Sequence, residues 1–195
     1  YDTVCCNYCG YAALTKDFMN TTQVQRKLLR EKIQANYKSH EEVVCDAYST
    51  ETAISRLKMA LLCTVTKAGK ESEIGNICLK IDWLYQDLAD ELEENSSDYE
   101  SKKENYLAEA HNFAMNAYEH LSKARMEEAF PIAGMNETTL DYLLSYLGYV
   151  KGEYQTAMQY LSGVVSTRGI SPRLKDKCLE LKELLNQKLH ASADQ

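Results

Sequence analysis

Only two prolines and eight glycines interrupt this 195-residue chain. A many-turned β-sandwich or barrel needs far more of both, whereas long helices do not. The chain also lacks any run of 18 apolar residues; its longest apolar stretches, such as Met59–Cys63, are pieces of amphipathic helix. No membrane-spanning helix is therefore expected. A basic excess is missing too. The net charge is −7, which disfavours a broad surface for the nucleic-acid backbone, since phosphates are held by clustered Lys and Arg. Tyr1 is neither a Met nor part of a basic leader, so no signal peptide is visible and a trimmed beginning is expected. No His-Glu-x-x-His, glycine-rich phosphate loop or Gly-x-Ser-x-Gly elbow occurs.

The chain holds 45% hydrophobic and 26% charged residues, ordinary globular values. Its length suits one domain, or one with an appendage, and should bury roughly 70% of the surface its unfolded form exposes. Disulfide staples are unnecessary at that size. The seven cysteines are odd in number and mostly lie inside helical patterns, which suits a reducing cytoplasm. Sequons at Asn20, Asn95 and Asn136 are short enough to arise by chance and are discounted.

Beyond residue 15 almost every segment reads with a helical period. Val24, Leu28, Leu29 and Ile33 mark a first stripe, flanked by Arg26, Lys27, Arg30 and Lys32. Ser39–Glu42 has capping-box spacing. A second helix carries Ala53, Ile54, Leu57, Ala60 and Leu61 and stops near Gly69; a third runs through Ile74, Ile77, Cys78, Ile81, Leu84 and Leu88 and holds the single tryptophan, Trp83. A long helix begins near Ser97–Glu100, again with capping-box spacing, and Phe130–Gly134 breaks the pattern. Leu140, Leu143, Leu144 and Leu147 predict a helix ending at Gly152. Tyr154, Ala157, Met158, Leu161, Val164 and Val165 predict the next, ending at Gly169. Ser171 before Pro172 is an N-cap with proline in the first helical position. Strand alternation is confined to Thr3–Ala13, so the expected class is all-α: antiparallel helix pairs stacked irregularly.

Gly152-Glu153-Tyr154-Gln155-Thr156-Ala157, followed by Tyr160, Leu161 and Val164, resembles the turn and second helix of a tetratricopeptide repeat. Small residues let paired helices approach and an aromatic covers their crossing. Tyr48–Ala60 and Ala110–Tyr118 give looser versions. The competing reading is an irregular bundle, because small residues recur in any packed helix pair.

Cys6-Asn7-Tyr8-Cys9-Gly10 has the spacing of a zinc knuckle, in which two thiolates face one metal while backbone N–H groups point at the sulfurs. Tetrahedral zinc takes four ligands and no second Cys-x-x-Cys follows, so the pair reads as half a site, as a redox pair or as inert thiols. Cys45, Cys63, Cys78 and Cys178 fall one per helix on apolar faces, where a thiol acts as a small core hydrophobe.

Tyr1–Val4 leading into Cys6–Leu14, then Ile77–Lys80 with Trp83-Leu84, Phe130-Pro131 with Gly134-Met135, Thr139–Leu143, Gly152–Tyr154 and Arg173–Lys177 together resemble the bacterial family called domain of unknown function 2225 (DUF2225), its clostridial members most of all. The resemblance implies an N-terminal pair of Cys-x-x-Cys knuckles followed by a tetratricopeptide-like helical domain. It makes Cys6 and Cys9 the second knuckle, zinc ligands in the intact protein, with the first knuckle ahead of Tyr1. Asn7 stands where the family has proline, and Cys5 is an additional thiol. On this reading residues 1–15 are half of a zinc-ribbon-like knuckle, 16–190 the helical domain and 191–195 a frayed tail.

Catalytic constellations are harder to find. His40, His111, His120 and His190 are scattered, and Asp82, Asp87, Asp90, Glu91, Glu93 and Glu94 read either as carboxylate metal ligands or as a solvated face. Tyrosine is abundant, at 14 against 3 phenylalanines. Tyr142, Tyr146, Tyr149, Tyr154 and Tyr160 cluster in the best repeat-like unit, where they would line a partner groove or pack between helices. The expected function is a non-enzymatic protein- or peptide-binding module. The alternatives are an enzyme with an inter-helical site, or nucleic-acid binding through the knuckle and the basic helix 24–38.

Overall fold

A computed structural model of the chain describes residues 2–39, 48–93 and 98–193. Cys45 and His40, the capping-box residues 40–42 and Ser97, Glu94 and Asn95 lie outside those residues. The fold is all-α. Among the described residues seven α-helices, α1 (Gln23–Lys32), α2 (Thr50–Thr66), α3 (Glu71–Asp90), α4 (Tyr99–Glu127), α5 (Glu137–Lys151), α6 (Tyr154–Ser166) and α7 (Pro172–Ala193), follow a two-stranded antiparallel hairpin, β1 (Thr3–Cys5) and β2 (Ala12–Leu14). No described helix is long and apolar enough to cross a membrane. Two compact units divide the chain, one through Ala117 and one from Tyr118, so the division falls inside α4. Ala12 and Leu14 of the hairpin are buried in the same core as α2 and α3.

In the first unit that core is built from Ala53, Ile54, Leu57 and Ala60 of α2 against Ile77, Ile81, Leu84 and Leu88 of α3. Tyr85 of α3 meets the rings of Tyr106 and Phe113 of α4, at 6.1 and 6.2 Å between centroids. Thr22 caps α1 through a reciprocal pair with Gln25. Leu29 of α1 and Ile33, its C-cap, are buried against Cys63 and Tyr11. Val24, expected on the same stripe, is 70% exposed. Trp83 is also on the outside of its helix, 49% exposed. Asp82 behaves oppositely: only 2% exposed, it is enclosed on the broad apolar side of α3 and belongs to no solvated acidic face.

In the second unit Leu140, Leu144 and Leu147 of α5 are fully buried, and Ala157, Leu161 and Val164 of α6 share a cluster with Cys178, Leu181 and Leu185 of α7. Asn136 caps α5 by accepting the Thr139 N–H at 2.9 Å, which gives that sequon asparagine a structural task. Ser171 caps α7, with Pro172 in the first turn as expected. Gly152 ends α5 in the left-handed region, at φ +88, where glycine carries no Cβ penalty. The next residue but one opens α6, and so short a link makes α5 and α6 an antiparallel hairpin. α7 continues to Ala193.

Candidate functional site

Two clusters carry the residues singled out from sequence, and each is set by local geometry. The first is the knuckle between β1 and β2. The Cys6 N–H donates to the Tyr11 carbonyl and the Gly10 N–H to the Cys6 carbonyl, both at 2.8 Å, which folds the six residues between the strands into a tight loop. Gly10 sits at φ +72. A Cβ there would lie 2.4 Å from the Tyr37 ring, so backbone conformation and packing both demand glycine.

The loop aims backbone donors at the sulfurs. Cys6 receives the Tyr8 N–H, the largest influence on its thiol, and also the Cys9 N–H; together these hold its pKa below the ordinary thiol range against the opposing effect of burial. Cys9 is raised instead, by burial first, although the Tyr11 N–H points at it. The two thiols hydrogen-bond to each other. Cys5, by contrast, packs against the apolar core of the first unit, as strand alternation requires for a neighbour of Cys6. Among the described residues no group of three or more His, Cys, Asp or Glu side chains could hold a metal. Cys6 and Cys9 are thus a lone pair of neighbouring sulfurs, with backbone N–H groups aimed at both.

Sequence reasoning missed Cys63. It is fully buried, but more than a core filler: its sulfur accepts the Ala12 N–H at 3.4 Å and its thiol donates to the Gly10 carbonyl at 3.6 Å. One side chain of α2 thereby ties down the far side of the knuckle. The partners lie some fifty positions apart, so no local pattern announces them. A cleft of about 400 Å³ opens between the knuckle and α1, with Cys9, Tyr11, Arg26 and Arg30 among its walls.

The second cluster is the α5–α6 hairpin. Ser145 donates to the Ala157 carbonyl at 2.8 Å, and a Cβ on Gly148 would stand 3.2 Å from that of Ala157. Small residues thus set how closely the two helices cross. Tyr118 of α4 hydrogen-bonds Glu153 at 2.9 Å, and Lys151 pairs with the same carboxylate at 2.8 Å. Burial, then that acceptor, raises the Tyr118 pKa.

The five tyrosines expected at a partner surface are not all brought together. Tyr142, Tyr146 and Tyr149 recur at four and three residues, one side of α5. Tyr142, Tyr149 and Tyr154 are half-buried against the α6–α7 cluster, with Tyr149 and Tyr154 rings 6.0 Å apart. Tyr146 is 42% exposed. Tyr160 is not part of that cluster; six residues on from Tyr154, it turns to another side of α6 and interacts electrostatically with Tyr118 and Arg125. His111 is exposed and acts on buried Asp82 through space.

Residues 1–185 match the family model described as "Uncharacterized protein conserved in bacteria (DUF2225)". The chain belongs to this family. The match covers the β1–β2 hairpin, all of α1–α6 and the greater part of α7, so both clusters lie within DUF2225. No curated protein and no solved structure matches the chain.

Proposed function

We propose that this DUF2225 member is a non-enzymatic helical module that binds a protein or peptide through its α5–α6 hairpin, and that Cys6 and Cys9 ligate a structural zinc ion in the intact protein. The observation that carries the binding reading is the tyrosine stripe of α5. Tyr146 presents an exposed ring between Tyr142 and Tyr149, whose rings are braced on the core beneath. Rings held this way have little rotamer freedom to lose on binding, and their hydroxyls can meet polar backbone. The close crossing at Ser145, Gly148 and Ala157 supports a tetratricopeptide-like pair, which displays such a stripe on a rigid element.

For the metal, the support is the N–H donors at both sulfurs. Zinc bound there would supply a cross-link and no reaction; Cys6 and Cys9 would hold it, and the family resemblance implies two further thiolates from another knuckle. The six described cysteines are free thiols, which suits the cytoplasm.

Panning a peptide-display library on the purified protein tests the binding reading. Enriched sequences should lose binding to a Tyr146→Ala variant and keep it with an exposed control such as Leu107→Ala. Failure to enrich any sequence, or enrichment indifferent to the tyrosine, would sink it. For zinc, metal analysis of the intact protein should find one ion that disappears in Cys6→Ser; equal metal content in that variant would remove the pair from the site.

A further inference from the structure

We infer that the cleft between the knuckle and α1 is a binding site for a small phosphomonoester, with Arg26 and Arg30 gripping the phosphate. The site is separate from the tyrosine stripe and does not depend on peptide binding there.

Arg26 and Arg30 are four residues apart on α1, which places their Cβ atoms about 5–6 Å apart on one face. Both line the cleft of about 400 Å³, and both also line a hollow of about 730 Å³ along the same helix, where Lys27 and Glu31 are further walls. Neither has an ion-pair or hydrogen-bond partner among the described residues. Some cations elsewhere in this acidic chain are paired: Arg125 holds Asp141 and Glu137, Lys67 holds Glu73, and Lys58 holds Glu109. On α1 itself Lys27 is matched to Glu31 at 3.9 Å. Two forked, permanently charged donors thus border the cleft together without a partner among the described residues.

The floor of the cleft is firm. Leu29 is buried. The Tyr11 hydroxyl donates to the Phe18 carbonyl at 3.0 Å, and the two rings lie 5.0 Å apart. Thr21 and Gln34 add neutral polar groups at the wall. An anion with an apolar substituent matches this lining, the substituent lying on Tyr11 and Leu29.

Charge and size narrow the class. Two guanidinium forks match a phosphomonoester dianion better than a carboxylate or a phosphodiester, each of which carries one charge. The volume lies within the range of small-molecule pockets, about 300–1,000 Å³. A long polyanion would run beyond the cleft onto a protein of net charge −7, whereas a small ester meets only the local arginines. The rival assignment is that the two arginines merely offset the negative charge of zinc-bound thiolates at neighbouring Cys9.

Calorimetric titration of the whole protein with phenyl phosphate, inorganic phosphate, dimethyl phosphate and a short single-stranded oligonucleotide tests the proposal. Phenyl phosphate should bind saturably below about 1 mM and dimethyl phosphate at least about tenfold more weakly. Arg26→Gln and Arg30→Gln should each cost about tenfold, with an unchanged thermal midpoint and helical circular dichroism. Absence of saturable phosphomonoester binding up to about 10 mM overturns the site. So does undiminished binding in the double variant. Tighter binding of the oligonucleotide, falling steeply with salt, overturns the small-ligand assignment. Loss of zinc from the double variant without any phosphomonoester binding to the parent would assign the arginines to the metal instead.

Discussion

The sulfur of Cys63 and the backbone nitrogen of Ala12 are 3.4 Å apart, a hydrogen bond that joins the last turn of α2 to β2. Burial raises the Cys63 thiol pKa, so the group stays protonated and also donates to Gly10. Cys63→Ala leaves the Ala12 N–H, in a fully buried residue, without its acceptor. A loss of about 1–3 kcal/mol is expected in chemical denaturation. Amide exchange at Ala12 should accelerate in parallel. Unchanged exchange would show that the sulfur is not what protects that amide.

The fit of Gly10 under Tyr37 gives a two-part prediction. Gly10→Ala introduces both left-handed strain, about 1–2 kcal/mol, and a collision with the ring at 2.4 Å. Adding Tyr37→Ala removes only the collision. The double variant should therefore show a positive coupling in a denaturation cycle, with Gly10→Ala costing less when Tyr37 is absent. Strict additivity would mean that ring and loop do not touch in solution.

Asp82 sets a pH dependence. Burial is the first cause lifting its pKa to about 6, partly countered by the Gln86 amide at 2.7 Å. A carboxyl that titrates higher in the folded state than in the unfolded one favours folding when protonated. Its contribution is thus least favourable above pH 6 and improves as the pH falls toward about 4. Asp82→Asn should stabilise the protein at pH 7.5 by up to about 3 kcal/mol. That advantage should shrink at pH 4.5. A variant that is equally or less stable at pH 7.5 would refute this account.

The α5–α6 crossing leaves no room for bulk. Ala157→Leu must push against Gly148, whose Cα region meets Ala157 directly; overpacking of this kind costs about 1–3 kcal/mol. Ser145→Ala should cost about 1 kcal/mol through the lost bond to the Ala157 carbonyl. Thermal denaturation of both variants checks the order of the two effects.

How far sequence alone reached differs between elements. The leucine spacing of 140–147, the Gly152 stop and the Ser171-Pro172 start are local signals, and the structure places α5, α6 and α7 on them. The Cys6–Gly10 loop is equally local, since each turn residue and donor lies within five positions. Val24 shows where periodicity stops. α1 is short, and Tyr11 and Cys63 decide which of its sides is covered; neither is near it in the pattern. Asp82 was unreadable for a related reason: α3 is enclosed over so wide an arc, from Ile74 to Leu88, that a carboxyl inside it looks like one more surface acid. The tyrosines divide because two sides of one helix, at Tyr154 and Tyr160, face different neighbours.

Trp83, the single tryptophan, lies in α3 and hence in the unit that ends at Ala117. Excited at the red edge of the indole band, intrinsic emission becomes a spectroscopic label for that unit alone, while helical ellipticity sums over both. A melt followed by the two signals at once would then report whether the halves let go together or in turn, without any dye or inserted probe.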